Sequence, residues 1–423
     1  MEDLFQSLQK GFKVIVLVGD GMADFPIETF GNRTPLEIAR TPHMDLIAKQ
    51  GMTGTARTIP RNLDPGSDVA NLSILGFDPK HYYTGRGPLE ALSMGIGLTE
   101  HEVAFRCNFV TVSHDVMADY SAGHISSRES KVLMEHLNFY FANKAIRFFP
   151  GVSYRNLAVV HENVLGEDKG HLICVPPHDI IGKPISLFLP KGKGSNFLRE
   201  IMQEAQSALE KHEINQIRVD LGENPGNMIW LWGGGKTPIL PQFKKQYNLS
   251  GVMISAVDLL KGIGAALGLK VLQVPGATGY YDTNYIGKAE YALDALKTFD
   301  FVFLHVEAPD EAGHNGDLQE KVKAIENFDD KVVGTILSGL KNYDHCRVLV
   351  VSDHLTPIQE RTHTKDPVPF ALWGSGIEAD EVDTFSEIAV KNGAYKNIQG
   401  HKLMNLLIGK KKKKKKSEKE EEF

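Results

Sequence analysis

Three runs of this chain share one design: KVIVLVGD (13–20), FVFLHVEAPD (301–310) and RVLVVSD (347–353) are nearly unbroken apolar strands that end on, or just before, an aspartate. A strand that is apolar on both faces has to be covered on both faces. A sheet with one wet face would show alternation instead, so these runs predict a mostly parallel, buried sheet. The stretches 196–211, 256–267 and 319–340 carry apolar residues at three- and four-residue spacing and read as the covering helices. Strands alternating with helices define an α/β chain with helices on both faces of the sheet. In such sheets ligands bind beyond the carboxyl ends of the strands, which is where Asp20, Asp310 and Asp353 fall.

The chain has 423 residues with 42% hydrophobic content, enough for two cores. Residues 98–189 break the pattern, mixing short strand-like pieces such as EVAFRCNFVTV and NLAVVHE with one helix-like piece around 127–143. They read as an inserted α+β domain, with LPKGKGSNF (189–197) as its return linker. The expected organisation is a discontinuous core of 1–97 and 190–409 around that insertion. The last segment, 410–423, holds eight lysines and four glutamates, a net of +4, and its composition predicts disorder. Because the whole chain carries −6, the rest is at −10, a poor match for nucleic acid. The N-terminus lacks the basic start of a signal peptide, and no apolar run reaches the roughly 18 residues of a membrane span. Three cysteines (Cys107, Cys174, Cys346), widely spaced and without a CxxC pair, suggest neither a disulfide framework nor a thiolate zinc site. A reducing cytoplasm is the expected location, with no membrane partner.

Asp310 and His314 are four residues apart, so a helical turn started by Pro309 would place both on one side, able to share a cation. Taken alone, the pair reads equally well as a solvated acid and a surface histidine. Asp353, His354 and His363 then supply a second group at another strand end. Three aspartates, counting Asp20, that face one another repel unless a cation neutralises them. Mixed oxygen and imidazole donors favour manganese, zinc or cobalt over calcium, and six donors exceed what one catalytic metal needs, so two metals are expected. In PGSDVANLSILGFDP, Ser67 opens a helix. Its hydroxyl is either a simple N-cap or, beside a metal, an ionisable nucleophile.

The segments VLVGDGMAD, PGSDVANLSILGFDP, TGRGPLEA, DYSAGHI, PGVSYRN, HDIIGKP, EAPDEAGH, VSDH and HTKDPVPF together resemble the cofactor-independent phosphoglycerate mutases of the archaeal-type branch, in the alkaline phosphatase superfamily. The resemblance runs in order from about residue 12 to 409. It implies an alkaline-phosphatase-like core with 98–189 as a substrate-binding lid. It also implies that Asp20, Ser67, Asp353 and His354 hold one divalent metal and Asp310, His314 and His363 the other. Manganese comes first, with zinc, cobalt or magnesium as alternatives, and no 2,3-bisphosphoglycerate is required. Ser67 would carry the phosphoryl group, while His124, Arg155, Arg86 and Lys261 would bind the phosphoglycerate substrate. The metal ligands alone leave other two-metal phosphoryl-transfer enzymes of that superfamily open, and a metal-binding protein without turnover as the remaining alternative.

Overall fold

The computed structural model describes residues 11–166 and 172–409, so the lysine-rich tail lies outside the described residues. Thirteen strands are described, in chain order β1 (Lys13–Gly19), β2 (Met52–Arg57), β3 (Glu102–Ser113), β4 (Val116–Asp119), β5 (Ile146–Val152), β6 (Arg155–His161), β7 (Met228–Gly235), β8 (Gly251–Ile254), β9 (Lys270–Leu272), β10 (Phe301–Val306), β11 (Cys346–Ser352), β12 (Val368–Gly374) and β13 (Tyr395–Gln399). They divide between two compact units. Of the described residues, the first comprises those up to His81, Pro241–Val257 and those from Gly268 on; the second comprises those within Tyr82–Leu240 and Asp258–Leu267.

The first unit is built on an eight-stranded sheet in the order β13-β2-β12-β11-β1-β10-β8-β9. Only β12 runs against its neighbours; β1 is parallel to both β10 and β11. Every residue of β1, β10 and β11 is buried, as runs apolar on both faces require. The register sets Gly19 beside Val306 and beside Ser352, so the chain leaves the sheet at one common edge after all three strands. Asp20, Asp310 and Asp353 follow from that alignment. His363 reaches the same edge for the opposite reason: β12 is antiparallel, so its amino end, just after His363, lies where β11 finishes. The expected covering helices form at Ser195–Leu209, Asp258–Ala266 and Leu318–Asn327, the last continued by a π-helical turn at Phe328–Gly334 and by Thr335–Leu340. The first two of these belong to the second unit, not to the first sheet.

The second unit is wider than the 98–189 insertion read from the sequence. Its sheet is antiparallel: the twelve-residue β3 pairs with β4, β6 and β7. Because β7 lies at 228–235, the chain cannot leave this unit at 189. The Gly-Lys-Ser segment therefore leads into the helix Ser195–Leu209, whose Leu198, Ile201, Met202 and Ala205 join the same core as Phe105 and Trp230. Composition marked a linker there, but the pairing partner of a strand is not written in its local composition. The helix Asp258–Ala266 joins this unit as well, packing on Arg86–Ser93 so closely that a side chain at Gly262 would enter the van der Waals shell of the Leu89 carbonyl.

Two stability measurements test this description. Gly262→Ala gains roughly 1 kcal/mol of helix propensity but overpacks against backbone, at a cost of about 1–3 kcal/mol, so a net loss in the denaturant midpoint is expected. In the first unit, burial pushes the Glu387 carboxyl up from 4.5 to about 7, against the hydrogen bonds from Thr34 and Asp24 and the Lys321 charge. Between those two values the folded protein keeps a proton that the unfolded chain has released. Stability should therefore fall as pH rises across that window, by on the order of 3 kcal/mol at most, and Glu387→Gln should flatten the fall in urea titrations.

Candidate metal centre

Helix geometry answers the question that spacing left open at Asp310 and His314. Pro309 sits in the first turn of the helix Ala308–Asn315, and the two side chains meet, Asp310 buried and His314 half-buried. Asp310 is buried, with its Oδ2 3.2 Å from His314 Nε2 and its Oδ1 3.4 Å from His363 Nε2. Thr356 Oγ1 donates a short hydrogen bond to Asp310 Oδ1. Burial would raise the Asp310 carboxyl, but His363 and His314 outweigh it and hold the group well below the usual carboxylate range. For His314, burial opposes the charge and Asp310 restores it, raising the imidazole to about 9.

Asp20, Asp353 and His354 form the neighbouring group, and all three are buried. The Asp353 carboxylate is well supplied: Oδ1 accepts from the amides of Gly21 (3.0 Å) and His354 (2.9 Å), and Oδ2 from Asn71 Nδ2 (2.8 Å). Asp20 is not. Neither of its oxygens has a hydrogen-bond donor, although His305 Nε2 lies 3.0 Å from Oδ2 and His354 Nε2 3.4 Å from Oδ1 without the alignment of a bond. Burial raises the Asp20 carboxyl well above its ordinary value, and the charges of Asp353, Asp310 and Glu307 push the same way. Burial also lowers the His305 imidazole to about 4, so this ring is neutral and offers Asp20 no charge.

Ser67 completes the group. It is the first residue of the helix Ser67–Ile74, whose N-cap is Gly66, a residue without a side chain to cap with. The hydroxyl is thus free of the capping role and lies 3.1 Å from His354 Nε2. Asn71 Nδ2, one turn on, donates to the Ser67 carbonyl and to Asp353 at 2.8 Å each, fixing the helix start to the strand end.

This donor set fits divalent cations. Asp20, Asp353 and His354 each offer an atom within 4.8 Å of the others, as do Asp310, His354 and His363. A buried carboxylate with two empty acceptors beside another acid is stable only with a proton or a cation between them. The orientation of His314 is compatible with the same role. His314 Nδ1 lies 3.0 Å from the Arg361 carbonyl, to which it can only donate, yet its Nε2 faces His363 Nε2 at 2.9 Å. An imidazole anchored at Nδ1 in this way is oriented as metal ligands are, with Nε2 turned to the cluster.

The four remaining candidates lie in the second unit. Arg155 and His124 both face Tyr154, with the guanidinium 5.0 Å and the imidazole ring 6.2 Å from its centroid. Arg86 stands 5.5 Å over the Trp232 ring, and Lys261 pairs with Asp258 at 3.0 Å. The structure adds Arg106, which is buried, pairs with Glu90 at 3.0 Å and stacks 4.6 Å over the same Trp232. Burial lowers its guanidinium pKa, and the charges of Arg86 and Arg155 lower it further. The signal was present in FRCNF, a charge inside an otherwise apolar strand. Asn71, His305 and Thr356 also went unread, since nothing local distinguishes them.

Curated proteins decide the family. A 2,3-bisphosphoglycerate-independent phosphoglycerate mutase of Methanothrix thermoacetophila is 54% identical over 94% of this chain and 99% of its own length. The chain belongs to the 2,3-bisphosphoglycerate-independent phosphoglycerate mutase family. That family's model matches residues 48–215, and the mutase of Methanosarcina mazei is 51% identical over 94% of this chain and 99% of its own. Among solved structures, the cofactor-independent phosphoglycerate mutase of Thermoplasma acidophilum superposes with a TM-score of 0.63 at 28% identity, covering 94% of this chain and 99% of that one. A Pyrococcus horikoshii protein gives 0.79 at 31% identity, covering 95% and 99%. Members of this family are isomerases, and among the described residues no helix is long and apolar enough to cross a membrane.

Asp20→Asn tests the charge argument without reference to turnover. Removing an unsupported buried carboxylate should leave the metal-free protein at least as stable as wild type, while the rise in melting temperature on adding Mn²⁺ is lost. Calorimetry with and without the ion reads both.

Proposed function

We propose that this protein interconverts 3-phosphoglycerate and 2-phosphoglycerate through a phosphoserine on Ser67, assisted by two divalent metals and without 2,3-bisphosphoglycerate. The observation that carries the reading is the Ser67 hydroxyl, released from capping and held 3.1 Å from His354 among buried acids and imidazoles. Asp20, Ser67, Asp353 and His354 would hold one cation; Asp310, His314 and His363 would hold the other, with manganese favoured by the mixed donors. When bound, such cations stabilise the charge that develops on the attacking and leaving oxygens of a phosphoryl group.

In the first transfer Ser67 gives up its proton and its Oγ bonds to phosphorus as the bond to the 3-oxygen of the substrate breaks; the glycerate oxygen takes a proton. Glycerate then turns, and its 2-hydroxyl gives up its proton as the oxygen bonds to phosphorus; the Oγ–phosphorus bond breaks and Oγ takes a proton, regenerating Ser67. His354 keeps the hydroxyl turned to the cluster, and Asn71 fixes the helix start that carries it. Glycerate must be retained between the two transfers while water is kept out. We assign that task to the second unit as a lid, with His124, Arg155, Arg86 and Lys261 binding the substrate's anionic groups. The reaction places the protein in glycolysis and gluconeogenesis, in the cytoplasm.

Ser67→Ala should fold normally and lose the serine-linked phosphate found by mass spectrometry after incubation with substrate. A coupled assay with enolase should show wild-type turnover unchanged by added 2,3-bisphosphoglycerate. Turnover that depends on the bisphosphate would replace this mechanism with a phosphohistidine type.

A further inference from the structure

The metal-ligand loops converge on one side chain that no ligand motif includes. Lys321, on the helix Leu318–Asn327, has no solvent exposure. Its ammonium donates to Asp24 Oδ2 at 2.7 Å, to the Thr356 carbonyl at 2.8 Å and to the Ala23 carbonyl at 3.4 Å. Three donors meet three acceptors, so the cation is saturated.

Those acceptors belong to the two loops that carry the site. Ala23 lies three residues after Asp20, and Thr356 three after Asp353. The loops also bind each other: the Thr356 amide donates to the Ala23 carbonyl at 3.3 Å, the Ile358 amide to Asp24 Oδ2 at 3.1 Å, and Leu355 bridges to Met22 and Ala23. From the clamped Thr356, the side-chain hydroxyl reaches Asp310 Oδ1 and lies 3.2 Å from His354 Nδ1. The space is filled tightly. Gly21, at φ +57°, passes so close that a Cβ there would stand 2.5 Å from both Asp310 Oδ1 and Thr356 Oγ1. Asp24 is held in turn, its amide donating to Glu387 Oε1 at 2.8 Å, and Glu387 Oε2 accepts from Thr34 Oγ1 at 2.6 Å.

We propose that Lys321 is a positioning residue for the metal centre: its buried ammonium fastens the loops after β1 and β11 to each other and thereby aims the Thr356 hydroxyl at Asp310. This rests on the metal reading given above. Stability alone is a poor reason for such a cation, because a buried ion pair can usually be exchanged for apolar groups of similar volume at little or no cost to the fold. Orientation of first ligands by the groups behind them is where such a contact has its effect, and losing it lowers metal affinity by about 10- to 100-fold.

The test is Mn²⁺ binding to the full chain, followed by isothermal titration and by the EPR signal of free ion, beside the melting temperature of the metal-free protein. Lys321→Met with Asp24→Asn removes both charges together and leaves neither unpaired. The pair of changes should leave the metal-free melting temperature within a few degrees of wild type yet raise the Mn²⁺ dissociation constant at least about tenfold. Thr356→Val keeps the backbone carbonyl for Lys321 and removes only the hydroxyl; it should weaken the ion bound by Asp310 in the same direction, and it decides the matter if the double variant does not fold. Wild-type affinity in either folded variant overturns the proposal while leaving the metal reading intact. A wild-type protein that binds no Mn²⁺ removes both.

Discussion

Repulsion among buried carboxylates is the constraint on which the rest of this structure depends. Asp20, Asp310 and Asp353 leave the sheet at one edge because β1, β10 and β11 are parallel and in register there. Three acids so placed, with little solvent, are tolerable only if something positive faces them. The chain supplies part of it with His314 and His363 beside Asp310, and leaves Asp20 without a donor. That imbalance is what supports the proposed binding of cations at this edge. Natural proteins keep such local costs at functional sites and offset them in the surrounding fold.

The surrounding fold ties this edge together. Amides of Gly21 and His354 grip Asp353, Thr58 Oγ1 donates to the Asp353 carbonyl at 2.6 Å, and Asn71 ties the helix of Ser67 to the same carboxylate. All of these contacts except that of the His354 amide join segments far apart in sequence. The loop after β2 and the loop after β11 are thereby fixed to one another, which is what a nucleophile needs if it is to meet ions held elsewhere in the chain. The glycine after Asp20 belongs to this packing, since its positive φ and its closeness to Asp310 leave no room for a side chain.

Much of this was legible in the primary chain, for reasons that differ from residue to residue. The sheet could be read from Lys13–Gly19 and Cys346–Ser352 because doubly buried strands cannot hide their composition. Asp310 and His314 could be paired because a proline-started helix makes four-residue spacing a spatial statement. The extent of the second unit could not be read. Residues 190–240 look like any helix-rich core segment, and only the pairing of β7 with β3 and the packing of the helix Ser195–Leu209 on that sheet assign them. Arg106 was visible as an oddity inside a strand, but its role beside Trp232 depended on a ring 126 positions away.

Sequence by itself determined the class of architecture and which acids and imidazoles stand at the strand ends, since strand composition and the side chains that follow a strand are local properties. Tertiary structure alone decided whether the Ser67 hydroxyl would cap its helix or turn toward His354, and that the buried Lys321 would join the loops after β1 and β11. Those outcomes depend on distances between groups hundreds of residues apart, and such distances are set by sheet register and side-chain packing, which no local pattern encodes.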